Sequence, residues 1–70
     1  MRRKPVSSSM IASIGYLARS RMLEIEFVSG SIYRYLDVDK EVNGDFLDAP
    51  SKGTFFNAHI KDAYSFVRVA

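Results

Sequence analysis

A small α+β domain is the fold class this sequence predicts, and three observations carry the prediction. Leu23, Ile25 and Phe27 alternate with Glu24 and Glu26, the period of a strand with one dry face. Val28-Ser29-Gly30 then turns the chain, and Ile32 to Val38 returns as a second strand of a hairpin. Beyond Asp39 the apolar spacing lengthens, with Val42, Phe46 and Ala49 on one side, which is the period of a helix. The expected architecture is a three-stranded antiparallel meander with two short helices packed on one face.

The elements follow in order. Residues 1–7 read as a flexible basic arm, and residues 8–70 as a single domain. From Ser9 to Leu17, Met10, Ala12, Ile14 and Tyr16 alternate with Ile11, Ser13 and Gly15, which suits a first strand. Leu17 to Arg21 turns the chain into Met22–Val28, the clearest strand. A three-residue loop, Val28-Ser29-Gly30, puts Gly30 in the left-handed position of a type I turn with a G1 bulge. Ile25 then faces Tyr33, Leu23 faces Tyr35, and Glu24 meets Arg34 on the other face. A two-residue turn would instead mix glutamates with tyrosines, and a one-residue slip flips a whole face, so the first register is preferred. Asp39 is a suitable N-cap for Lys40–Ala49, which Pro50 closes. Ser51 or Thr54 caps a second helix whose stripe is Phe56, Ile60 and Ala63 or Tyr64. Asn57 and Lys61, four apart, share its outward face. Ser65-Phe66-Val67-Arg68-Val69 is open between a short final strand and an extended tail.

Seventy residues lie near the lower limit for a single unstapled core, and with no cysteine there is neither a disulfide framework nor a thiolate metal site. The net charge of +2 is concentrated at the start, because residues 5–70 alone carry −1 once Arg2, Arg3 and Lys4 are removed. No apolar stretch follows the basic start, since Ser7-Ser8-Ser9 interrupts it, and no run approaches the roughly 20 residues of a membrane span. A soluble, cytoplasmic protein is the expectation, with no membrane partner.

Catalysis finds little support. His59 is the only histidine and has no companion for a metal site. Asp62 lies three residues beyond it, an ordinary polar contact along a helix. Glu24 and Glu26 share a strand face, but Arg34 answers one of them. No phosphate loop or nucleophile elbow is present. A binding module with no cofactor and no small-molecule substrate is therefore expected.

Tyr33 and Tyr35 have two readings: a platform on which bases stack, or rings packed beneath the helices with hydroxyls at the edge. The preferred register favours packing, and it leaves Glu24, Glu26, Arg34 and Ser13 on the open face. The better candidate surface for nucleic acid combines Arg2, Arg3 and Lys4 of the arm with Lys52, Asn57 and Lys61 of the second helix, near Gly53. The competing reading is a protein-interaction or self-associating module, in which Ile11, Ile32, Leu36 and the Phe66/Val67 end form an apolar patch that a protein partner or second copy covers.

In chain order, Ile14-Gly15-Tyr16, Leu23-Glu24-Ile25-Glu26-Phe27, Gly30, Tyr33-Arg34-Tyr35, Ala49-Pro50-Ser51-Lys52-Gly53, Phe56-Asn57 and Ile60-Lys61 form a series that resembles the KTSC domain. That family is named for the C-terminus of some lysyl-tRNA synthetases and also occurs as small stand-alone bacterial proteins. Its marker is Tyr-x-Tyr, here Tyr33 and Tyr35 around Arg34. The resemblance covers roughly residues 6–68 and departs from the family pattern at Asp37-Val38-Asp39, where the family has Gly-Val-Pro. The resemblance implies a small bacterial or phage protein that binds RNA or tRNA.

Overall fold

The alternation Leu23/Glu24/Ile25/Glu26/Phe27 sorts one strand into a dry face and a charged face, and the rest of the fold is arranged around it. The computed structural model describes residues 1–70. Its strands are β1 (Lys4–Pro5), β2 (Ile11–Leu17), β3 (Met22–Phe27), β4 (Ile32–Tyr35) and β5 (Phe66–Arg68). They form one antiparallel sheet in the order β1-β2-β3-β4-β5. The expected three strands are therefore five. The arm supplies one edge, where Lys4 pairs with Ile14 and Pro5 with Ser13. The C-terminal segment supplies the other, where Phe66 pairs with Tyr35 and Arg68 with Tyr33. Each added strand is only two or three residues long, too short to show a period of its own.

The β3–β4 hairpin has the expected register, with Leu23 opposite Tyr35, Glu24 opposite Arg34 and Ile25 opposite Tyr33. The loop closes through Gly30 N–H to Phe27 O at 2.9 Å and Phe27 N–H to Ser31 O at 2.9 Å. Gly30 has φ +98, and no atom lies within 4 Å of where a Cβ would stand, so conformation and not space demands glycine there. Gly30→Ala is expected to cost about 1–2 kcal/mol through that backbone strain alone. A urea midpoint shift at unchanged m is the measurement, and an unshifted midpoint would contradict it.

β2 departs from simple alternation. Ile11 pairs with Phe27 and Ser13 with Glu26, so Ala12 is an extra residue, a bulge that shifts the phase of the strand. Ile11 consequently joins Ile14 in the core and is completely buried, where unbroken alternation assigns it to the open face. The proposed patch of Ile11, Ile32 and Leu36 loses its first member for this reason.

α1 (Lys40–Asp48) begins after Asp39 and turns Phe46 fully into the core, with Val42 packed against its edge. Asp39 occupies the cap position without capping. Its carboxylate accepts from Arg21 at 3.0 Å, while its backbone carbonyl takes the first helical N–H groups. Asp37 sits just upstream at φ +59, in the left-handed region that an L side chain seldom occupies. α2 (Lys52–Phe55) is capped by Ser51, whose hydroxyl accepts from the Thr54 N–H at 3.2 Å. It continues as a π-helical turn over Phe56–Ile60, closed by Lys61 N–H to Phe56 O at 2.9 Å. The wider turn buries Phe56 and Ile60 and ends the helix there, which leaves Ala63 exposed and Tyr64 at the margin of the core. No helix is long and apolar enough to cross a membrane.

Candidate nucleic-acid interface

The two faces of the sheet carry different chemistry. On the face away from the helices, Glu24 is 3% exposed, yet its carboxylate is fully answered. Arg34 Nε donates to Oε1 at 2.7 Å, and Arg3 Nη1 donates to Oε2. Arg3 Nε also donates to Ser13 Oγ at 3.0 Å, and that hydroxyl donates to Glu26 at 2.8 Å. Burial alone raises the Glu24 carboxyl, but the hydrogen bonds from Arg34 and Arg3, and then their charges, more than reverse it and hold it below the ordinary glutamate range. Arg3 reaches Glu24 because β1 lies tightly over Gly15. A Cβ at Gly15 would meet Arg2 O at 2.8 Å and Arg3 Cγ at 2.9 Å. The arginine of Tyr33-Arg34-Tyr35 is thus half of a clasp on a buried carboxylate.

On the helix-covered face, the tyrosines divide. Tyr35 is buried, with its hydroxyl pushed above the usual tyrosine value by burial and then by Tyr33. Tyr33 is half-buried, and its ring lies nearly parallel to Tyr35 with centroids 6.4 Å apart and planes at 22°. Phe66 leans on both at 5.4 and 5.5 Å. Phe27 meets Tyr33 edge-on at 5.7 Å, and Phe56 meets Tyr35 edge-on at 5.7 Å. These five rings, with Ser29, Ser31 and Lys61, line an open cleft of about 380 Å³ that contains no carboxylate. Arg68 stands 6.0 Å from the centroid of Tyr33 and donates to Ser31 Oγ at 3.2 Å.

The residues expected to contact nucleic acid are not brought together. Arg2 and Lys4 line a separate recess of about 220 Å³ with Asn43 and Leu47, at the β1 edge of the sheet. Arg3 is held by Glu24. Lys52 Nζ donates to the Ala49 carbonyl at 2.7 Å, which satisfies the end of α1. Gly53 packs against Met10 at ordinary contact distance, so its role here is close packing of α2 on β2. Asn57 is exposed on the π-helical turn. Lys61 alone of the set lies beside the aromatic cleft, near the β4–β5 edge, at the opposite side of the sheet from Arg2 and Lys4. His59 is exposed with its ring 4.6 Å from that of Phe55. Sequence reasoning did not reach Phe66 and Arg68 as cleft residues. Their i, i+2 spacing carries the signal, but it speaks only once the segment is known to pair with β4.

A five-stranded antiparallel meander with one helical face, a clasped glutamate on the other, and a Tyr-x-Tyr strand at the wall of an aromatic cleft defines a specific class of small α+β domain. The model of the KTSC domain matches residues 7–64, and the chain belongs to that family. It is 43% identical over 61 residues to an uncharacterised protein of Stutzerimonas stutzeri, covering 87% of this chain and 86% of that one. It is 40% identical over 62 residues to a lysine–tRNA ligase of Nostoc punctiforme, covering 89% of this chain and only 11% of the ligase. The crystal structure of a KTSC domain protein from Yersinia pestis superposes with a TM-score of 0.96 at 43% identity, covering 99% of this chain and 97% of that one.

Proposed function

We propose that this domain is a non-catalytic RNA-binding module whose contact surface is the aromatic cleft between β4, β5 and the end of the π-helical turn. The observation that carries the reading is the composition of that cleft: aromatic rings flanked by Lys61 and Arg68, with no acidic side chain among its lining residues. Cations there attract phosphates, and the rings offer faces to bases. Occurrence of the same domain in lysine–tRNA ligases supports the choice of RNA, with tRNA as the first ligand to try.

The test is fluorescence anisotropy of the whole chain against labelled tRNA and a single-stranded oligonucleotide at several salt concentrations. Binding is expected to weaken steeply with salt, and Lys61→Glu to weaken it further and reduce the slope of log affinity against log salt by about 1. A slope near zero would sink the reading. The arm has to stay on, because removing Arg3 leaves the buried Glu24 carboxylate with one partner fewer.

A second reading, association with a protein or a second copy, is favoured by one observation. The outer edge of β5 has no neighbouring strand, and Phe66, Val67 and Val69 are exposed along it.

A further inference from the structure

Phe66 is the one aromatic side chain among the exposed large hydrophobic residues. It is 51% exposed, it has no polar atom to justify contact with water, and it lies outermost on a stack of rings that are themselves fixed. Tyr35 is buried beneath it, and Tyr33 is braced edge-on by Phe27. A ring held from behind by aromatic neighbours presents its free face at little cost in side-chain freedom. Two cations lie near it: Lys61 on the cleft wall, and Arg68 two residues along the same strand face, whose Nε donates to Ala70 O at 3.0 Å and whose Nη2 donates to Ser31 Oγ at 3.2 Å. Ser29 and Ser31 add hydroxyls at the far rim.

We infer that Phe66 is the stacking seat for an unpaired base of single-stranded RNA, with Lys61 and Arg68 placed to take the flanking phosphates. The inference rests on the RNA-binding reading above and narrows it. Stacking on a side chain requires a base with a free face, which a duplex hides within its own stack. The cations argue against the other occupant of an aromatic cleft, a basic peptide, which they would repel. At about 380 Å³ the cleft is in the size range of small-ligand sites.

The chain contains no tryptophan, which makes a direct test available. Phe66→Leu keeps an apolar side chain on a half-exposed site but removes the ring, and Phe66→Trp introduces a single indole at the proposed seat. Anisotropy is read with a labelled oligoribonucleotide of about ten residues, single-stranded and annealed to its complement. The expected result is preference for the single strand, weakening of about tenfold with Phe66→Leu, and affinity retained with Phe66→Trp together with quenching of its emission on binding. RNA binding that Phe66→Leu leaves unchanged, with indole emission unaltered, overturns the stacking seat and leaves RNA recognition standing on other residues. Equal affinity for single strand and duplex also overturns it. Absence of binding to both oligonucleotides and tRNA overturns the inference and the RNA reading together. A homodimer that Phe66→Leu dissociates assigns the ring to a protein contact instead.

Discussion

Glu24→Gln is expected to destabilise the domain by about 2–3 kcal/mol at neutral pH, somewhat below the range for breaking a fully buried ion pair. The discount has a structural reason. The Glu24 side chain is 4% exposed, but its partners Arg3 and Arg34 are 26% and 39% exposed, so water screens part of what each loses. Glutamine preserves the shape and one accepting oxygen. Its amide then faces a guanidinium with a donor where an acceptor is needed, and two cations remain over a neutral site. In a 70-residue domain, whose whole stability is about 4–10 kcal/mol, this is a large fraction.

The pH dependence follows from the direction of the shift. The native carboxyl lies below its ordinary value near 4.5, so the unfolded chain takes up a proton first as the solution is acidified. The clasp therefore contributes fully above that value, and its contribution drains away as pH falls through the depressed native one. Urea midpoints for the wild type and Glu24→Gln are expected to differ at pH 7 and to converge as the solution is acidified through the depressed native value. A variant as stable as wild type at pH 7, or a gap that does not narrow in acid, would show that the clasp is not a stabilising element.

Ile11→Ala provides the second large effect, about 2–4 kcal/mol from lost burial and the cavity left beside Phe27 and Ile14. Its size tests the bulge. If the alternation of β2 ran unbroken from Ile14, Ile11 would share the polar face with Ser13, and truncation there would fall within about 0.5 kcal/mol of neutral. Because Ala12 is the extra residue, Ile11 is fully buried. Urea titration separates the two outcomes directly.

The β3–β4 hairpin was legible because its signals agree. Gly30 selects the turn, the turn selects the register, and only that register keeps Glu24 with Arg34 and the tyrosines with Ile25 and Leu23. The first helix and the Ser51 cap were legible for the same reason, since period and punctuation coincide. The edge strands were not. Two residues at Lys4–Pro5 and three at Phe66–Arg68 are strands only because a neighbour offers them backbone partners. The bulge at Ala12 left no residue-type mark, as alanine and serine fit either face. The wide turn at Phe56–Ile60 was hidden too, because an α period and a π period place Phe56 and Ile60 on nearly the same side over so short a stretch.

The candidate interface divides along the same line. Lys61 was readable as an exposed cation, and Tyr33-Arg34-Tyr35 as the family marker on a strand with two faces. That Arg3 closes on Glu24, and that Phe66 and Arg68 stand beside Tyr33, are contacts between segments far apart in the chain. Alternation, turn residues and caps act over a few positions, so the sequence by itself determines the central hairpin, the helices and the separation of a dry face from a charged one. Which cations remain free and which aromatic rings meet depends on how the two ends of the chain dock on opposite edges of the sheet, and only the tertiary structure decides that.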